Sequence, residues 1–237
     1  MMRVILTRPL EKAQLLAERL KSEGDEVLLA PMLRISFLPV EEPAEPLQAV
    51  IFTSVQGVEG VANAKGFQIF PAFTVGTKTA SSARQVGFER VFNADGDVED
   101  LLRLILAEAN TGKGPLVHLC GDLTTGNLVE RLRERGFDAR RQKVYETHAQ
   151  ESLPATVAER IRARGFDAAL FFSPRSASLF CRIAREKELA DFFRHAAAVA
   201  MSEAVKEEAA ALPWKKIHTA ERPTESAVLA VLQTLRK

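Results

Sequence analysis

One residue stands apart for its chemistry. Tyr145, in the stretch KVYETHAQ (143–150), is the only tyrosine in a chain of 237 residues that carries fourteen phenylalanines. An aromatic ring that only fills space can be Phe, whereas Tyr adds a hydroxyl that needs a partner. A solitary Tyr at a segment end therefore invites a chemical role, beside the plainer reading in which it closes a strand with its hydroxyl in water. A second group of residues sits in short turns rich in hydroxyls and glycine: FTS (52–54), VGTKTA (75–80), LCGD (119–122), FFSPRS (171–176) and RPTE (222–225). Ser, Thr or Gly ahead of a helix satisfies its first N–H groups, so capping alone accounts for Thr53, Ser54, Gly76, Thr79, Gly121, Ser173, Ser176 and Thr224. Helix N-termini gathered at one place would also receive a ligand bearing many carboxylates, and Arg8, Lys78 and Arg175 in or beside such turns would add full charges. Both readings stand for each of these residues.

Signatures of other chemistries are missing. The stretch TGKG (111–114) lacks the upstream glycine and the following Ser/Thr of a phosphate loop, and neither GxGxxG nor GxSxG occurs. His118, His148, His195 and His218 are scattered with no ligand spacing, so no metal is expected. Cys120 and Cys181 lie far apart, as reduced, buried thiols would. With 32 basic against 31 acidic residues the net charge is +1, which offers no field for nucleic acid or an anionic membrane. Any anionic ligand must be held by local donors. The opening MMRVILTRP is too short an apolar run for a signal peptide, and no stretch approaches the roughly 20 apolar residues that span a bilayer. A cytoplasmic location is expected.

The elements that must position these residues occur twice. VILT (4–7), an amphipathic segment ending at Gly24, and EVLLAPM form a βαβ unit; a shift of 112 residues gives LVHL at 116, LVERLRERG ending at Gly136, and a strand ending RRQKVYE. AVIFTS from Ala49 recurs as AALFFS from Ala168 at an offset of 119. FTVGTKTASSA and VFNADGDVEDLL recur as VAMSEAVKEEA and IHTAERPTESAV at an offset of 126. A fixed strand-turn-helix order of this kind predicts two similar doubly wound, flavodoxin-like α/β domains with about five parallel strands each. The connection near 112 is short, whereas LPVEEPAEPL (38–47) and ETHAQESLPA (146–155) read as linkers. The expected division is therefore 1–37 with 153–237 as one domain and 47–145 as the other, with a two-segment hinge at 38–46 and 146–152. In such sheets ligands bind beyond the carboxyl ends of the strands, and both sheets can turn those ends toward one cleft. The acidic residues at 41–45 read as a solvated spacer.

LTRP at the first strand end, IFTSxxxV, VGxKTA, CGD, the VYET strand end, FFSPRS and the late PTE, in this order and spacing, resemble the uroporphyrinogen III synthase family across essentially the whole chain. The resemblance implies the exchanged two-domain fold with substrate in the cleft, no cofactor, and a monomer. It also implies that Tyr145 assists departure of the substrate hydroxyl and that Thr79 lies near the cleft. One departure stands out: where family members often carry a Gly-Pro-x-Thr-like turn, this chain has Ser202-Glu203-Ala204-Val205, so contacts there would come from Ser202 or backbone N–H groups. The implied substrate is hydroxymethylbilane, a linear tetrapyrrole bearing many carboxylates. Loss of its hydroxyl leaves an azafulvene, which is attacked by the substituted carbon of the terminal ring, giving a spiro intermediate that recloses with that ring inverted. Without the protein the same intermediate closes to the type I isomer, so the protein's main task would be to hold one conformation. Two rival readings remain open at this point: a non-catalytic two-lobed binding protein for a small polycarboxylate, and a fold relative that serves as an assembly partner.

Overall fold

AVIF (49–52), LVHLC (116–120) and AALF (168–171) are buried at every residue. Strands buried this completely are covered by helices on both faces, which is the situation of a parallel sheet built from βαβ units. The computed structural model describes residues 1–122 and 126–236, and Glu11 by its backbone only. In chain order come β1 (Arg3–Leu6), α1 (Leu10–Ser22), β2 (Glu26–Leu29) and β3 (Leu33–Phe37). Next are β4 (Ala49–Phe52), α2 (Val55–Glu59), β5 (Ala72–Thr74), α3 (Thr77–Gln85), β6 (Val91–Asn93) and α4 (Val98–Glu108). Then follow β7 (Leu116–Cys120), α5 (Leu128–Arg133), β8 (Ala139–Lys143), β9 (Tyr145–Ala149) and α6 (Ala155–Arg162). The last elements are β10 (Ala168–Phe171), α7 (Pro174–Glu186), β11 (Ala197–Ala200), α8 (Glu203–Ala209), β12 (Lys216–Thr219) and α9 (Glu225–Leu235).

The chain divides into two compact units, Met1–Arg34 with His148–Lys237, and Ile35–Thr147. The first holds a five-stranded sheet ordered β12-β11-β10-β1-β2, the second one ordered β6-β5-β4-β7-β8, and both are parallel throughout. Equating β1 and β2 with β7 and β8, and β10–β12 with β4–β6, superposes the two orders. Followed along the chain, the first is the flavodoxin-like order and the second the Rossmann order, so each is a circular permutation of the other. The repeat offsets of the sequence thus map onto equivalent strands. Gly24 and Gly136, one repeat apart, both take positive φ (90° and 82°) just past a helix, where a side chain would be strained.

Each sheet sends alternate residues to opposite faces, and each unit therefore has two apolar layers. In the first unit Ile5, Ala169, Phe171 and Ala198 pack under α6, α7 and α8, while Val4, Leu6, Leu170 and Val199 pack under α1 and α9. Phe180, Phe193 and Trp214 form an edge-to-face cluster in the first of these layers, with Phe193 and Trp214 centroids 4.7 Å apart. In the second unit Ile51, Phe73 and Leu116 face α4 and α5, and Val50, Phe52, Val117 and Leu119 face α2 and α3. Edge strand β8 (ARRQK) is mostly exposed and carries two arginines that discourage further strand pairing.

The two segments that cross between the units, β3 and β9, pair with each other. Backbone bonds at the two ends, Leu38 N–H to Val144 C=O and Gln150 N–H to Met32 C=O, show an antiparallel ribbon. Tyr145 is the first residue of β9 and does not end β8: Val144 donates its N–H to the Cys120 carbonyl as the last sheet contact, and the chain then leaves for the ribbon. The acidic stretch 38–46 belongs to the second unit, where exposed Glu45 pairs with Arg140 at 2.5 Å.

Candidate active site

Ligands of doubly wound sheets bind beyond the carboxyl ends of the strands, at the point where strand order reverses. In the second unit that point lies between β4 and β7. Ser54 follows β4 as the N-cap of α2, and its Oγ accepts the Gly57 N–H at 3.1 Å. The same oxygen lies 3.2 Å from the Tyr145 hydroxyl. Gly121 follows β7; a β-carbon there would come within 2.5 Å of Tyr145 Cε2 and 2.6 Å of Cζ, so the phenol ring rests directly on the Gly121 backbone. Beside them Thr53 Oγ1 is 3.0 Å from His118 Nε2. His118 is 2% exposed, and burial, aided by the charge of Arg141, pushes its pKa down to about 4. The imidazole is therefore neutral and fixed by a hydroxyl. Lys143 and Glu146, on either side of Tyr145, form an ion pair, and Asp122 accepts the Thr147 N–H at 3.1 Å. Along the rim Gly76 is the N-cap of α3, with no side-chain cap and open space where a β-carbon would be. Thr79 is buried in the first turn of α3, and Lys78 is exposed with no ion pair among the described residues.

In the first unit the reversal lies between β1 and β10. Thr7 donates its hydroxyl to the Leu170 carbonyl at 2.8 Å, and Arg8 lays its guanidinium over the Phe172 ring, 4.4 Å from the centroid. Arg8 also pairs with Glu225, and its Nε is buried without a partner among the described residues. Ser173 caps α7: its Oγ accepts the Ser176 N–H at 3.2 Å while its hydroxyl donates to Ser176 Oγ at 2.9 Å. Pro174 follows at the first helical position, where its missing N–H costs nothing. Arg175 is exposed and has no ion pair among the described residues. Ser202 begins α8 without a side-chain cap, and Val205 behind it is fully buried. Exposed Thr224 caps α9 by accepting the Ala227 N–H at 3.3 Å.

The structure thus gathers Tyr145, Thr53, Ser54 and Gly121 around one switch point, and Arg8, Ser173, Arg175 and Ser176 around the other. The capping reading holds for Ser54, Ser173 and Thr224, whose oxygens each take a backbone N–H. His118 was read from the sequence only as a scattered histidine, and Phe172 and Glu225 lay within the turns FFSPRS and RPTE without being given a role. A histidine inside an otherwise apolar strand run was the one available signal for His118; the turns holding Phe172 and Glu225 were legible, but their pairing with Arg8 joins distant segments and was not.

Two doubly wound sheets of permuted but equivalent order, each with polar turns at its strand ends, define a duplicated α/β protein whose chemistry belongs at those ends. The family model described as Uroporphyrinogen-III synthase HemD matches residues 14–230, and the chain belongs to this family of cofactor-independent, lyase-type enzymes of tetrapyrrole biosynthesis. Its reaction is the family's: cyclisation of linear hydroxymethylbilane, with loss of water and inversion of the terminal ring, to uroporphyrinogen III. Solved structures share the fold. Uroporphyrinogen-III synthetase from Helicobacter pylori is 19% identical, with 100% of both chains covered and a TM-score of 0.67. A mutant uroporphyrinogen III synthase from the extremely thermophilic bacterium Thermus thermophilus is 17% identical over 100% of this chain and 99% of that one, with a TM-score of 0.60. No curated protein is a significant match. No helix among the described residues is long and apolar enough to cross a membrane.

Proposed function

We propose that Tyr145 is the group that acts on the leaving hydroxyl of hydroxymethylbilane. The observation that carries this is the placement of the chain's sole phenol at the switch point of the second unit, its ring on Gly121 and its hydroxyl 3.2 Å from Ser54 Oγ. The substrate drives its own ionisation: the pyrrole nitrogen pushes, the carbon–oxygen bond breaks, and the hydroxide and the pyrrole N–H proton are lost together as water, leaving a neutral azafulvene. The Tyr145 O–H donates a hydrogen bond to that oxygen as it leaves. The azafulvene that remains is attacked by the substituted carbon of the terminal ring, and the spiro intermediate fragments and recloses with that ring inverted. Selection of this route over direct closure is a matter of holding one conformer.

The carboxylates of the substrate are assigned to the strand-end turns. Lys78 and Arg175, without an ion pair among the described residues, supply full charge, and Gly76 and Ser202 head helices whose first N–H groups take no side-chain cap among those residues. Arg8 contributes by exchanging Glu225 for a substrate carboxylate. Thr53, Thr79, Gly121, Ser173, Ser176 and Thr224 complete the rim as hydroxyl or backbone donors. We assign the two compact units the roles of separate domains joined by a two-segment hinge, and take the enzyme to be a cytoplasmic monomer.

Product analysis tests the proposal. Purified protein is added to freshly generated hydroxymethylbilane, and the cyclised porphyrinogens are oxidised and separated by isomer. Type III above the protein-free control is expected, with Tyr145→Phe slowing its formation without abolishing it. Type III formation by Tyr145→Phe at the wild-type rate would remove the role of the phenol.

A further inference from the structure

We infer that Ser54 is a positioning residue that aims the Tyr145 hydroxyl, and that its place in the reaction is through the phenol and not through a substrate carboxylate; this rests on the role proposed for Tyr145. The Ser54 oxygen has three hydrogen-bonding valences to fill, two as acceptor and one as donor. One acceptor site is taken by the Gly57 N–H at 3.1 Å, a backbone donor that cannot turn round. The next polar atom recorded for it is the Tyr145 oxygen at 3.2 Å. When the phenol O–H donates its hydrogen bond to the departing oxygen of the substrate, Ser54 must be the donor to the phenol. The bonds then run in one direction, from Gly57 N–H to Ser54 O–H to Tyr145 O–H to the leaving group. Aligned bonds of this kind polarise one another and make the terminal O–H a better donor.

Two backbone approaches hold the chain of bonds in place. A β-carbon on Gly57 would lie 2.5 Å from the Leu119 carbonyl, so only glycine lets α2 sit this close to β7. A β-carbon on Gly121 would lie 3.0 Å from the Tyr145 hydroxyl oxygen itself, so only glycine leaves the ring where Ser54 can reach it. The geometry is specific to the second unit: Ser173, the repeat equivalent of Ser54, caps α7 in the same way but gives its hydroxyl to Ser176.

A double-mutant cycle between Ser54→Ala and Tyr145→Phe separates this role from helix capping, with Ser54→Thr as the variant that keeps a hydroxyl and Ser54→Gly as one that keeps a favourable cap residue. Ser54→Ala and Ser54→Gly are expected to lower kcat for type III formation by about 10-fold with KM nearly unchanged, and Ser54→Thr to recover most of it. In the Tyr145→Phe background, Ser54→Ala should lower kcat no further. Additive losses in the double variant, a rise in KM with kcat unchanged, or wild-type kcat in both Ser54→Ala and Ser54→Gly would each overturn the inference. Full activity of Tyr145→Phe would instead remove the underlying role of the phenol, so the two failures are distinguishable.

Discussion

The two units hold the same sheet twice, yet their strand ends have diverged in kind. In the second unit the switch point carries a neutral network: Gly57, Ser54 and Tyr145 in one line, Thr53 and buried His118 beside it. In the first unit the corresponding place carries charge, with Arg8 stacked on Phe172 and paired to Glu225. Capping is shared where it serves the fold. Ser54 and Ser173, one repeat apart, both cap with their side chains, while Gly76 and Ser202, also one repeat apart, head helices without side-chain caps. Packing therefore preserves strand order and cap position, because an error in either would strand buried N–H groups or expose apolar faces. The polar residues at the strand ends differ between the units, and there one unit carries a phenol and the other an arginine.

The strongest expected break in this comparison comes from the core of the first unit. Phe180→Ala removes an aromatic from the cluster with Phe171 and Phe193, and should cost about 3–5 kcal/mol. Trp214, the only tryptophan, packs on Phe193, so its fluorescence during urea unfolding reads that loss directly.

Acidification should come next. The folded pKa of His118, about 4, lies below the unfolded value of 6.5, so the unfolded state binds more protons between these limits. Stability should fall as pH drops from roughly 6.5 toward 4, by on the order of 3 kcal/mol in all. Leu6 stands at the matching repeat position in the first unit, which makes His118→Leu the informative variant. It should flatten this pH dependence in a chemical-denaturation series, and an unchanged slope would show that His118 is not its source.

Tyr145→Phe should lower kcat for type III formation by about 100-fold, equivalent to roughly 2.7 kcal/mol, with little change in melting temperature. Complete inactivation in a stably folded variant would mean the phenol does more than assist departure. The smallest effect belongs to the first unit's charged rim. The Arg8–Glu225 pair is partly exposed, at 17% and 46% side-chain accessibility, and Glu225→Gln should change stability by no more than about 1 kcal/mol. If Arg8 holds a substrate carboxylate, the same change should lower KM by releasing the guanidinium.

Much of this molecule was legible in its residues. Offsets of 112, 119 and 126 between matching stretches marked equivalent strands, because a strand buried on both faces needs an apolar run of fixed length followed by a turn and a helix wherever it occurs. The hydroxyl and glycine turns gave the caps for a similar local reason: a cap bonds an N–H two or three residues away. Tyr145 drew notice by composition alone, but its place did not follow, since RRQKVYE reads as one strand while the sheet ends at Val144 and the phenol opens the ribbon.

Sequence by itself determined the α/β class, the duplication and the residues at strand ends, all of which depend on hydrophobic period and contacts close along the chain. Only the tertiary structure decided which turns meet. Ser54 and Tyr145 are 91 residues apart, Thr53 and His118 are 65 apart, and Arg8 and Glu225 are 217 apart. Side-chain pairs of that separation are brought together by sheet order, and sheet order is fixed by the burial of whole layers, which no single stretch of the chain records.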